Sequence, residues 1–494
     1  MPRKPAISKS SFIRGRQCLK SLYLLKKHPE LQDQHTKSQQ AIFDHGHEVG
    51  ELARQIFPGG VIAAFDLPEG FMRSIKKTKE LIEEGQPVIY EAGLMVENTH
   101  CFVDILVKEN NKWFIYEVKS STGVKDVYIY DAAFQYYVLS NLGLEIEDVS
   151  IVFINNQYIR EGDIDIHQLF TIESVFERIT EIQPLVKNLL TNQVAALQKP
   201  DKPNIDIGPH CFNPYDCSFM GYCWKNVPDY SVFNISHLSS EKKFDLYKNG
   251  ILETTDVPDD ILLNTNQLMQ VHADKTGETI IDKPAIKEFL SRLKYPLYFL
   301  DFETFNPAVP LYDYSKPYQQ IVFQYSLHML DKPGGQLQHK EFLAPPTGDP
   351  RTPMIKQLIS EVGTDGDIMV YNKGFESGRL NEIARAFPKY EPAIQNMLPR
   401  IVDLMTPFQQ KLYYTPEMKG SYSIKSVLPA LVPGFSYADL EINQGGDASL
   451  AFANLLDEKN QQVIDTTRQN LLEYCKLDTL AMVEILKVLI QAIP

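Results

Sequence analysis

The sequence predicts an α/β protein with two units of alternating strands and helices. Residues 86–119 have the pattern of strands that include a hairpin, and a helical pattern and a buried strand pattern at 149–156 come after them. A further strand pattern at 295–305 opens a second α/β unit. The length of 494 residues allows two or three domains that each bury a core.

Four segments have helical patterns, and they are residues 11–57, 128–142, 170–196 and 226–290. Gly143 is predicted to end the second helix, because glycine readily adopts the left-handed conformation found after a helix. A loop is predicted at 199–214. In the last helical segment, two short helices joined at Gly250 resemble a helix-hairpin-helix element, and a plain helical connector is the alternative.

Charge and hydropathy narrow the class of protein. The net charge of −14 argues against nonspecific coating of nucleic acid. No apolar run approaches the roughly 20 residues of a membrane span, and no apolar segment of a signal peptide follows the start, so we expect a cytoplasmic protein. Residues 1–27 lack acids and form either a solvated basic tail or a phosphate-contacting rim beside Cys18. Their eight basic residues are Arg3, Lys4, Lys9, Arg14, Arg16, Lys20, Lys26 and Lys27.

Four of the six cysteines have a spacing that indicates a shared ligand. Three follow one another with five residues between successive cysteines, and the fourth lies far upstream; they are Cys211, Cys217 and Cys223, with Cys18 upstream. A chain without a secretory signal rarely clusters cysteines for disulfides, so thiolates bound to a metal or a cluster are expected, with four buried thiols as the alternative. Cys101 and Cys475 lie outside this spacing and are predicted to be ordinary core residues.

A hairpin argument brings two acids and a lysine together. If Asn110 and Asn111 form a two-residue turn, Asp104 lies opposite Glu117 with Cβ atoms roughly 5 Å apart. Lys119 is two residues beyond Glu117 and therefore faces the same way. Such a set predicts a Mg²⁺ site with a lysine that assists water or developing phosphate charge, and an exposed polar strand face is the alternative.

A second set of acids lies in the C-terminal half. Asp301 and Glu303 alternate along one predicted strand, and acids among Tyr, Phe and Leu are costly unless they hold metal. Tyr474 and Asp478 lie one helical turn apart, on the same side of an amphipathic helix. Glu376 falls near the start of a helix that follows another strand.

The first set resembles the PD-(D/E)XK nuclease superfamily, through Asp104 and then Glu117-Val118-Lys119. Gln135 matches the glutamine of that superfamily's Gln-x-x-x-Tyr motif, although Leu139 replaces the tyrosine, for which Tyr136 or Tyr137 is a substitute. His47 resembles a helical histidine that provides another metal ligand in the RecB-like branch. The resemblance implies catalysis by Asp104, Glu117, Lys119 and Gln135, with Mg²⁺ or Mn²⁺ held by His47, Asp104 and Glu117.

With the four cysteines, the resemblance narrows to iron–sulfur RecB-like nucleases, including the CRISPR-associated exonucleases. It implies a 4Fe–4S cluster held by Cys18, Cys211, Cys217 and Cys223. The usual cluster there has a Cys-x-x-Cys step, which is absent here, so zinc is the alternative.

The second set resembles the DEDD exonucleases of the RNase H-like fold, in the DnaQ-like group. Asp301-x-Glu303, Asn372-x-x-Phe375-Glu376 and Tyr474-x3-Asp478 match its three motifs, although the family's second acid is normally aspartate. The resemblance implies two divalent ions held by four acids and a tyrosine that orients the attacking water. Asp403 resembles a supporting position.

These resemblances together predict three domains: a nuclease domain at 1–227, a helical connector at 228–290 and an exonuclease domain at 291–494. The predicted function is metal-dependent hydrolysis of DNA, at single-stranded or duplex ends, with a second 3′–5′ exonuclease site that also allows RNA. The alternative is a nucleic-acid-binding component of a defence or repair complex in which one site is degenerate.

Overall fold

The computed structural model describes residues 5–34, 46–66, 70–437 and 440–493. The chain forms two compact units: unit 1 comprises Met1–Asn226 with Ala308–Tyr318, and unit 2 comprises Val227–Pro307 with Gln319–Pro494. Both combine helices and strands, so the mixed α/β class is confirmed. Within the described ranges, no helix has both the length and the apolar character needed to cross a bilayer.

Unit 1 is built on a sheet with seven strands in its described part. The strands are β1 (Ile7–Ser8), β2 (Val61–Ile62), β3 (Val88–Val96), β4 (Thr99–Glu109), β5 (Lys112–Lys119), β6 (Ile146–Ile154) and β7 (Phe170–Ser174). The order is β2-β3-β4-β5-β6-β7, and β1 pairs with β4. Strands β3, β4 and β5 are antiparallel neighbours, and β6 is parallel to β5.

The helices of unit 1 cover this sheet and supply side chains to its core. They are α1 (Lys9–Gln17), α2 (Leu19–Lys27), α3 (46–53), α4 (Phe71–Glu83), α5 (Asp126–Asn141), α6 (Ile166–Leu169), α7 (Phe176–Glu181), α8 (Gln183–Gln198) and α9 (Met220–Cys223). Phe12 of α1, Phe134 of α5 and Leu106 of β4 belong to one buried apolar cluster. This packing fixes α1 and α5 against the strands that carry the first acidic set.

Unit 2 contains a five-stranded sheet in the order β11-β10-β9-β12-β13 within the described residues. Its strands are β8 (Ile280–Ile281), β9 (Leu297–Phe305), β10 (Ile321–Leu330), β11 (Gln338–Leu343), β12 (Asp367–Val370), β13 (Ile401–Asp403) and β14 (Tyr413–Tyr414). Strands β9, β10 and β11 are antiparallel neighbours, whereas β12 is parallel to β9 and β13 to β12. Strands β8 and β14 pair separately.

The helices of unit 2 include one long C-terminal helix. They are α10 (Ser240–Lys248), α11 (Thr265–Thr276), α12 (Lys283–Ser291), α13 (Arg351–Val362), α14 (Lys373–Ala386), α15 (Glu391–Met397), α16 (Thr406–Gln409), α17 (Ile424–Leu431), α18 (Gly445–Leu455) and α19 (Gln461–Gln491). The α19 side chains Leu471, Cys475 and Met482 are fully buried, so one face of α19 packs inside the unit.

Several predicted elements are confirmed. The hairpin, the helix that Gly143 follows with a φ of 83°, and the strands β6 and β9 all form where the patterns indicated. Two predicted helices were wrong in detail. Phe170–Ser174, placed in a helix, is strand β7, because its β-branched residues pair along the edge of β6. The helix predicted across Cys18 breaks there, since Cys18 has the extended φ of −159°.

The predicted helical segment 226–290 is only partly helical. Residues 249–264 lie between α10 and α11, and the second short helix expected after Gly250 is a single 3₁₀ turn, Thr254–Asp256. Pro258 and the β-branched residues around it disfavour a longer helix there. Parts of two other predictions, Arg3 and Lys4 and the helical pattern over 35–45, lie outside the described residues.

Gly366 gives a test of how tightly β12 is held beside β9. It has a φ of 80°, and an added Cβ would lie 2.0 Å from the carbonyl oxygen of Pro296. We expect Gly366→Ala to destabilise the protein by roughly 3 kcal/mol or more, through left-handed strain and overlap together. The matched control is Gly348→Ala, at a φ of 77° in open space, with a cost of about 1 kcal/mol. Equal shifts of the urea midpoint for the two variants would contradict this packing.

Candidate metal centres

The first centre begins where the β4–β5 hairpin opens. Asn110 and Asn111 have φ angles of 51° and 64°, and Ile105 pairs with Tyr116, which confirms the predicted turn and register. This pair is the last rung of the β4–β5 ladder, so the predicted pair of Asp104 directly opposite Glu117 does not form through the backbone. The Oδ2 of Asp104 instead accepts a hydrogen bond from the N–H of Val118 at 2.7 Å. The Asp104 side chain therefore occupies the gap between the separating strands.

Glu117 is the most enclosed acid of this centre, at 1% exposure. Its Oε1 accepts hydrogen bonds from Lys119 Nζ at 2.7 Å and from Lys9 Nζ at 2.5 Å. Its Oε2 accepts from Gln135 Nε2 at 2.6 Å. The Oε1 of Gln135 is buried without a hydrogen-bond partner. The structure thus brings Glu117, Lys119 and Gln135 together, as the sequence predicted.

Two residues of this centre were missed by the sequence interpretation. Lys119 Nζ also donates to Asp131 Oδ2 at 2.7 Å, and Asp131 precedes Gln135 by one turn of α5. That i, i+4 spacing was a usable signal. Lys9 was assigned only to the basic N-terminal stretch. No local spacing relates it to Glu117, because the contact depends on β1 pairing with β4.

The ionisable groups of the first centre are strongly coupled. Burial, and next the charge of Glu117, raise the pKa of Asp104 to about 7. Burial also acts to raise the pKa of Glu117, but the ammonium groups of Lys119 and Lys9 outweigh it and lower that pKa to about 2. Glu117 is therefore held ionised by internal cations, and Asp104 is the acid whose charge lacks compensation.

The other residues predicted for this centre lie elsewhere. His47 is exposed in α3, and in the described residues no hydrogen bond or ion pair joins it to Asp104 or Glu117. Leu139 is fully buried in the core, and Tyr136 and Tyr137 pack against the same apolar cluster. Neither tyrosine has a hydrogen bond to the acids in the described structure, so the position of the family's motif tyrosine is apolar here.

The four spaced cysteines converge on one small cavity, as predicted. Cys18, Cys211, Cys217 and Cys223 all line it, and all are free thiols. Burial raises the pKa of Cys18 and of Cys223, so bound cation charge is what would favour their thiolates. In the described chain, no three of these sulfur atoms lie within 4.8 Å of one another.

The second centre lies where β9, α14 and α19 meet in unit 2. Asp301, Glu303 and Glu376 line one cavity of about 420 Å³. Tyr474 and Asp478 project from α19 and are 3% and 6% exposed. Glu376 is buried too, and its Oε2 has no hydrogen-bond partner. A buried carboxylate oxygen without a hydrogen-bond partner, in a cavity lined by acids, is a suitable ligand for a cation.

Cys475 corrects one prediction. It is buried, but its Sγ lies 3.8 Å from Asp301 Oδ2, so it is not an ordinary core residue. Ligand atoms of Asp301, Glu303 and Cys475 all lie within 4.8 Å of one another. By contrast, Cys101 belongs to the unit 1 apolar core, as predicted.

Two further residues of the second centre were not identified from the sequence. Tyr437 donates to Asp478 Oδ1 at 2.7 Å. Lys425 Nζ donates to Tyr474 Oη at 3.1 Å and to the carbonyl oxygen of Asn443 at 2.6 Å. Both reach the centre from outside the three motifs, so motif spacing carried no signal for them.

Asp403 has a supporting role that its contacts define. Its carboxylate accepts the backbone N–H groups of Asn372, Lys373 and Met405 at 3.2, 2.9 and 3.0 Å. These bonds fix the turn between β12 and α14. Because Glu376 follows on the first turn of α14, Asp403 sets its backbone position.

The acids of the second centre carry charge that the protein compensates poorly. Burial raises the pKa of Asp301 well above its ordinary value, and Asp478, Glu303 and Glu376 raise it further. Burial likewise raises the pKa of Glu376 to about 8 and that of Asp478 to about 6, although Tyr437 and Lys425 act in the opposite direction on Asp478. Divalent cations would supply the missing positive charge.

Comparison with known proteins places part of the second acidic set, namely Asp301, Glu303 and Glu376, inside a recognised domain. Residues 298–423 match a domain of unknown function, DUF2779. The chain is 29% identical to an uncharacterized protein of Mycoplasma pneumoniae over 246 residues, which are 45% of this chain and 37% of that protein. It is 27% identical to an uncharacterized protein of Ureaplasma parvum over 251 residues, 44% of this chain and 35% of that protein. The chain spans little more than a third of these relatives' length.

The charge imbalance in the second centre predicts a pH-dependent stability. The pKa of Glu376 is raised from 4.5 to about 8, so between these values the folded state binds more protons than the unfolded state. The contribution of Glu376 to the stability of the chelator-treated protein should therefore be greatest below about pH 4.5. It should fall as the pH rises towards 8. Glu376→Gln should flatten this fall, as measured by calorimetric melting temperature.

The matched control is Glu288→Gln, an exposed acid paired with Arg292 on α12. It should leave the pH dependence unchanged. Saturating Mn²⁺ should also flatten the fall in the parent protein, because the cation replaces protons as counter-charge. A Glu376→Gln profile that parallels the parent profile would contradict the electrostatic account.

Proposed function

We propose that the chain is a metal-dependent nuclease with two phosphodiesterase centres that act on DNA ends. The observation that carries this proposal is the cavity lined by Asp301, Glu303 and Glu376 beside buried Asp478. Clustered acids without matching internal cations suit divalent ions, and paired divalent ions are the usual means of stabilising phosphoryl transfer.

The topology of each unit supports the two family resemblances. In unit 2, three antiparallel strands continue into two parallel ones, in the sequential order 3-2-1-4-5 expected of an RNase H-like sheet. In unit 1, the antiparallel β3–β4–β5 meander, the helix α5 and the parallel strand β6 follow the order expected of a PD-(D/E)XK core. Fold alone does not establish activity, so the proposed activity depends on the acids.

In the second centre, Asp301, Glu303, Glu376 and Asp478 would hold the metal ions, which activate water and stabilise phosphate charge when bound. Tyr474 would orient that water. Lys425 fixes the Tyr474 hydroxyl, and Tyr437 fixes the Asp478 carboxylate. Glutamate at 376 suits this role, because its carboxylate reaches the cavity that the shorter aspartate of the family normally serves.

In the first centre, Asp104 and Glu117 would hold Mg²⁺ or Mn²⁺, which activates water there when bound. Lys119 would assist the water or the leaving charge, and Asp131 and Glu117 fix its ammonium group from two sides. Gln135 orients Glu117 by binding its second oxygen. His47 would complete the ligand set only after a rearrangement of its exposed side chain.

The cysteine cavity would hold an iron–sulfur cluster, as the family resemblance implies, with zinc as the alternative. Cys18, Cys211, Cys217 and Cys223 would hold it and join α2 to the loop after α8.

A second reading is a nucleic-acid-binding component of a defence or repair complex with one degenerate centre. The observation that favours it is the apolar Leu139 where the first centre's family has a tyrosine. Metal-dependent turnover by the purified chain separates the two readings.

Substitution of each acid set should remove one cleavage polarity. With end-labelled single-stranded DNA and Mn²⁺, Asp301→Asn with Glu303→Gln should lower digestion from 3′ ends by roughly a hundredfold or more and spare the 5′ side. Glu117→Gln should do the reverse. Glu173→Gln, an exposed acid on β7, is the control and should change neither. Loss of both polarities with either set would contradict two independent centres.

The cluster predicts a metal content that can be measured directly. Protein purified without oxygen should be brown and contain iron and inorganic sulfide in equal amounts. Cys211→Ser should lose the colour, whereas Cys101→Ala, a core cysteine, should keep it. A colourless protein with one zinc per chain would contradict the iron–sulfur assignment and leave ligation by the four cysteines intact.

A further inference from the structure

We propose that Lys9 is an internal counter-ion that occupies the Oε1 atom of Glu117 and is displaced when a divalent cation binds, which frees its ammonium group for the substrate phosphate. This inference rests on the proposed function of the first centre. It goes beyond that function because it assigns a role to a second cationic residue and couples metal binding to phosphate binding.

The backbone of Lys9 is fixed, so any displacement involves the side chain alone. Ile7 pairs with Thr99 of β4, and its N–H donates to Asn98 at 2.8 Å. The next residue, Ser8, caps α1 by accepting from the N–H of Ser11 at 3.2 Å. The flexible Lys9 stem then spans from the first turn of α1 to Glu117, and 24% of its side chain is exposed. It therefore has an open direction into which it can move.

The oxygens of Glu117 leave little room for a metal while Lys9 is in place. Two ammonium groups donate to Oε1, and Gln135 donates to Oε2. A carboxylate oxygen offers about two lone-pair directions, so Oε1 is saturated. A cation that binds the Oε1 of Glu117 must therefore displace one of its two ammonium donors, whereas Oε2 keeps one lone-pair direction beside Gln135.

Of the two ammonium donors to Oε1, Lys9 is held by fewer contacts. Lys119 has a second partner in Asp131 at 2.7 Å, whereas Glu117 is the one hydrogen-bond partner of Lys9 within the described structure. A lysine side chain that moves towards solvent is an ammonium ion at neutral pH, because its ordinary pKa is about 10.4.

The charge count shows what the displaced group would bind. Three carboxylates (Asp104, Glu117 and Asp131) face two ammonium groups, Lys9 and Lys119, which leaves a formal charge of −1. A divalent cation changes this to +1, which matches one phosphodiester anion. Lys9 then stands beside a newly attractive site for phosphate, and in this state it can donate to the non-bridging oxygens.

The test measures Mn²⁺ binding directly. The full-length background protein carries Asp301→Asn and Glu303→Gln, which weaken the second centre, so that the measured affinity is that of the first centre. Electron paramagnetic resonance of free Mn²⁺ gives the affinity. Lys9→Met and Lys9→Gln should each bind Mn²⁺ about tenfold more tightly than the background protein, because a competing cation is gone. Lys9→Arg should stay near the background value. The Lys9→Gln side chain keeps a hydrogen-bond donor but lacks the ammonium charge. It therefore tests the effect of charge even if Lys9→Met disturbs folding.

The same variants should bind single-stranded DNA less well in Mn²⁺. We expect KM to rise about tenfold for Lys9→Met, with a smaller change in kcat. The control is Lys112→Met, which removes an exposed lysine that pairs with Glu147 at 2.6 Å near the turn of the same hairpin. It should alter neither quantity.

The outcomes separate the two ideas. If the background protein binds Mn²⁺, Glu117→Gln abolishes that binding, and the Lys9 variants bind no more tightly, the counter-ion inference is wrong and the metal centre stands. If neither the background protein nor any Lys9 variant binds Mn²⁺, the proposed metal centre fails and the inference fails with it. Tighter binding in Lys9→Met and Lys9→Gln alone supports the displacement.

Discussion

Buried carboxylate charge is the constraint on which both units depend. A carboxylate that leaves water loses several kcal/mol of solvation unless a cation or hydrogen-bond donors replace it. Glu117 and Glu376 are 1% and 2% exposed, so neither retains much water. The groups that surround each acid therefore determine whether it is ionised and which cation or hydrogen-bond donor it contacts.

The two units meet this constraint differently. In unit 1, Lys119 and Lys9 donate to one oxygen of Glu117 and Gln135 donates to the other, so side chains supply this acid with counter-charge. In unit 2, the Oε2 of Glu376 has no hydrogen-bond partner, and Lys425 is directed at the Tyr474 hydroxyl. Under the proposals above, the first centre would give up an internal cation to accept metal, whereas the acids of the second would gain their main counter-charge from it. Metal should therefore stabilise unit 2 more strongly than unit 1.

Sequence reasoning succeeded where a contact depends on local geometry. The Asn110-Asn111 turn fixes the hairpin register, and the alternation of a strand places Asp301 and Glu303 together. The helix period likewise places Tyr474 and Asp478 on one buried face of α19. The four cysteines were grouped by their spacing and by a rule about redox environment rather than by geometry.

It failed where a contact depends on long-range pairing. Lys9 is 108 residues from Glu117 and reaches it only through β1 and β4. Lys425 and Tyr437 enter the second centre from segments between the motifs, so no period connects them to α19. Cys475 was misjudged because a buried position was equated with an apolar one. Strand β7 was misjudged because its pairing with β6, rather than its own pattern, decides its conformation.

The extent of the family match sharpens the question of which acids act together. The DUF2779 match covers 298–423, which includes Asp301, Glu303 and Glu376 but ends before Tyr437, Tyr474 and Asp478. Asp478 nevertheless contributes to the raised pKa of both Asp301 and Glu303, so the electrostatic unit is larger than the matched domain. Helix α19 completes the cluster, and its buried face, with Leu471 and Met482, holds Asp478 in place by packing. Because the last acid of the cluster is carried by a separately packed helix, the arrangement of the acids depends on that packing, and a core substitution on α19 would alter the proposed metal centre without touching any acid.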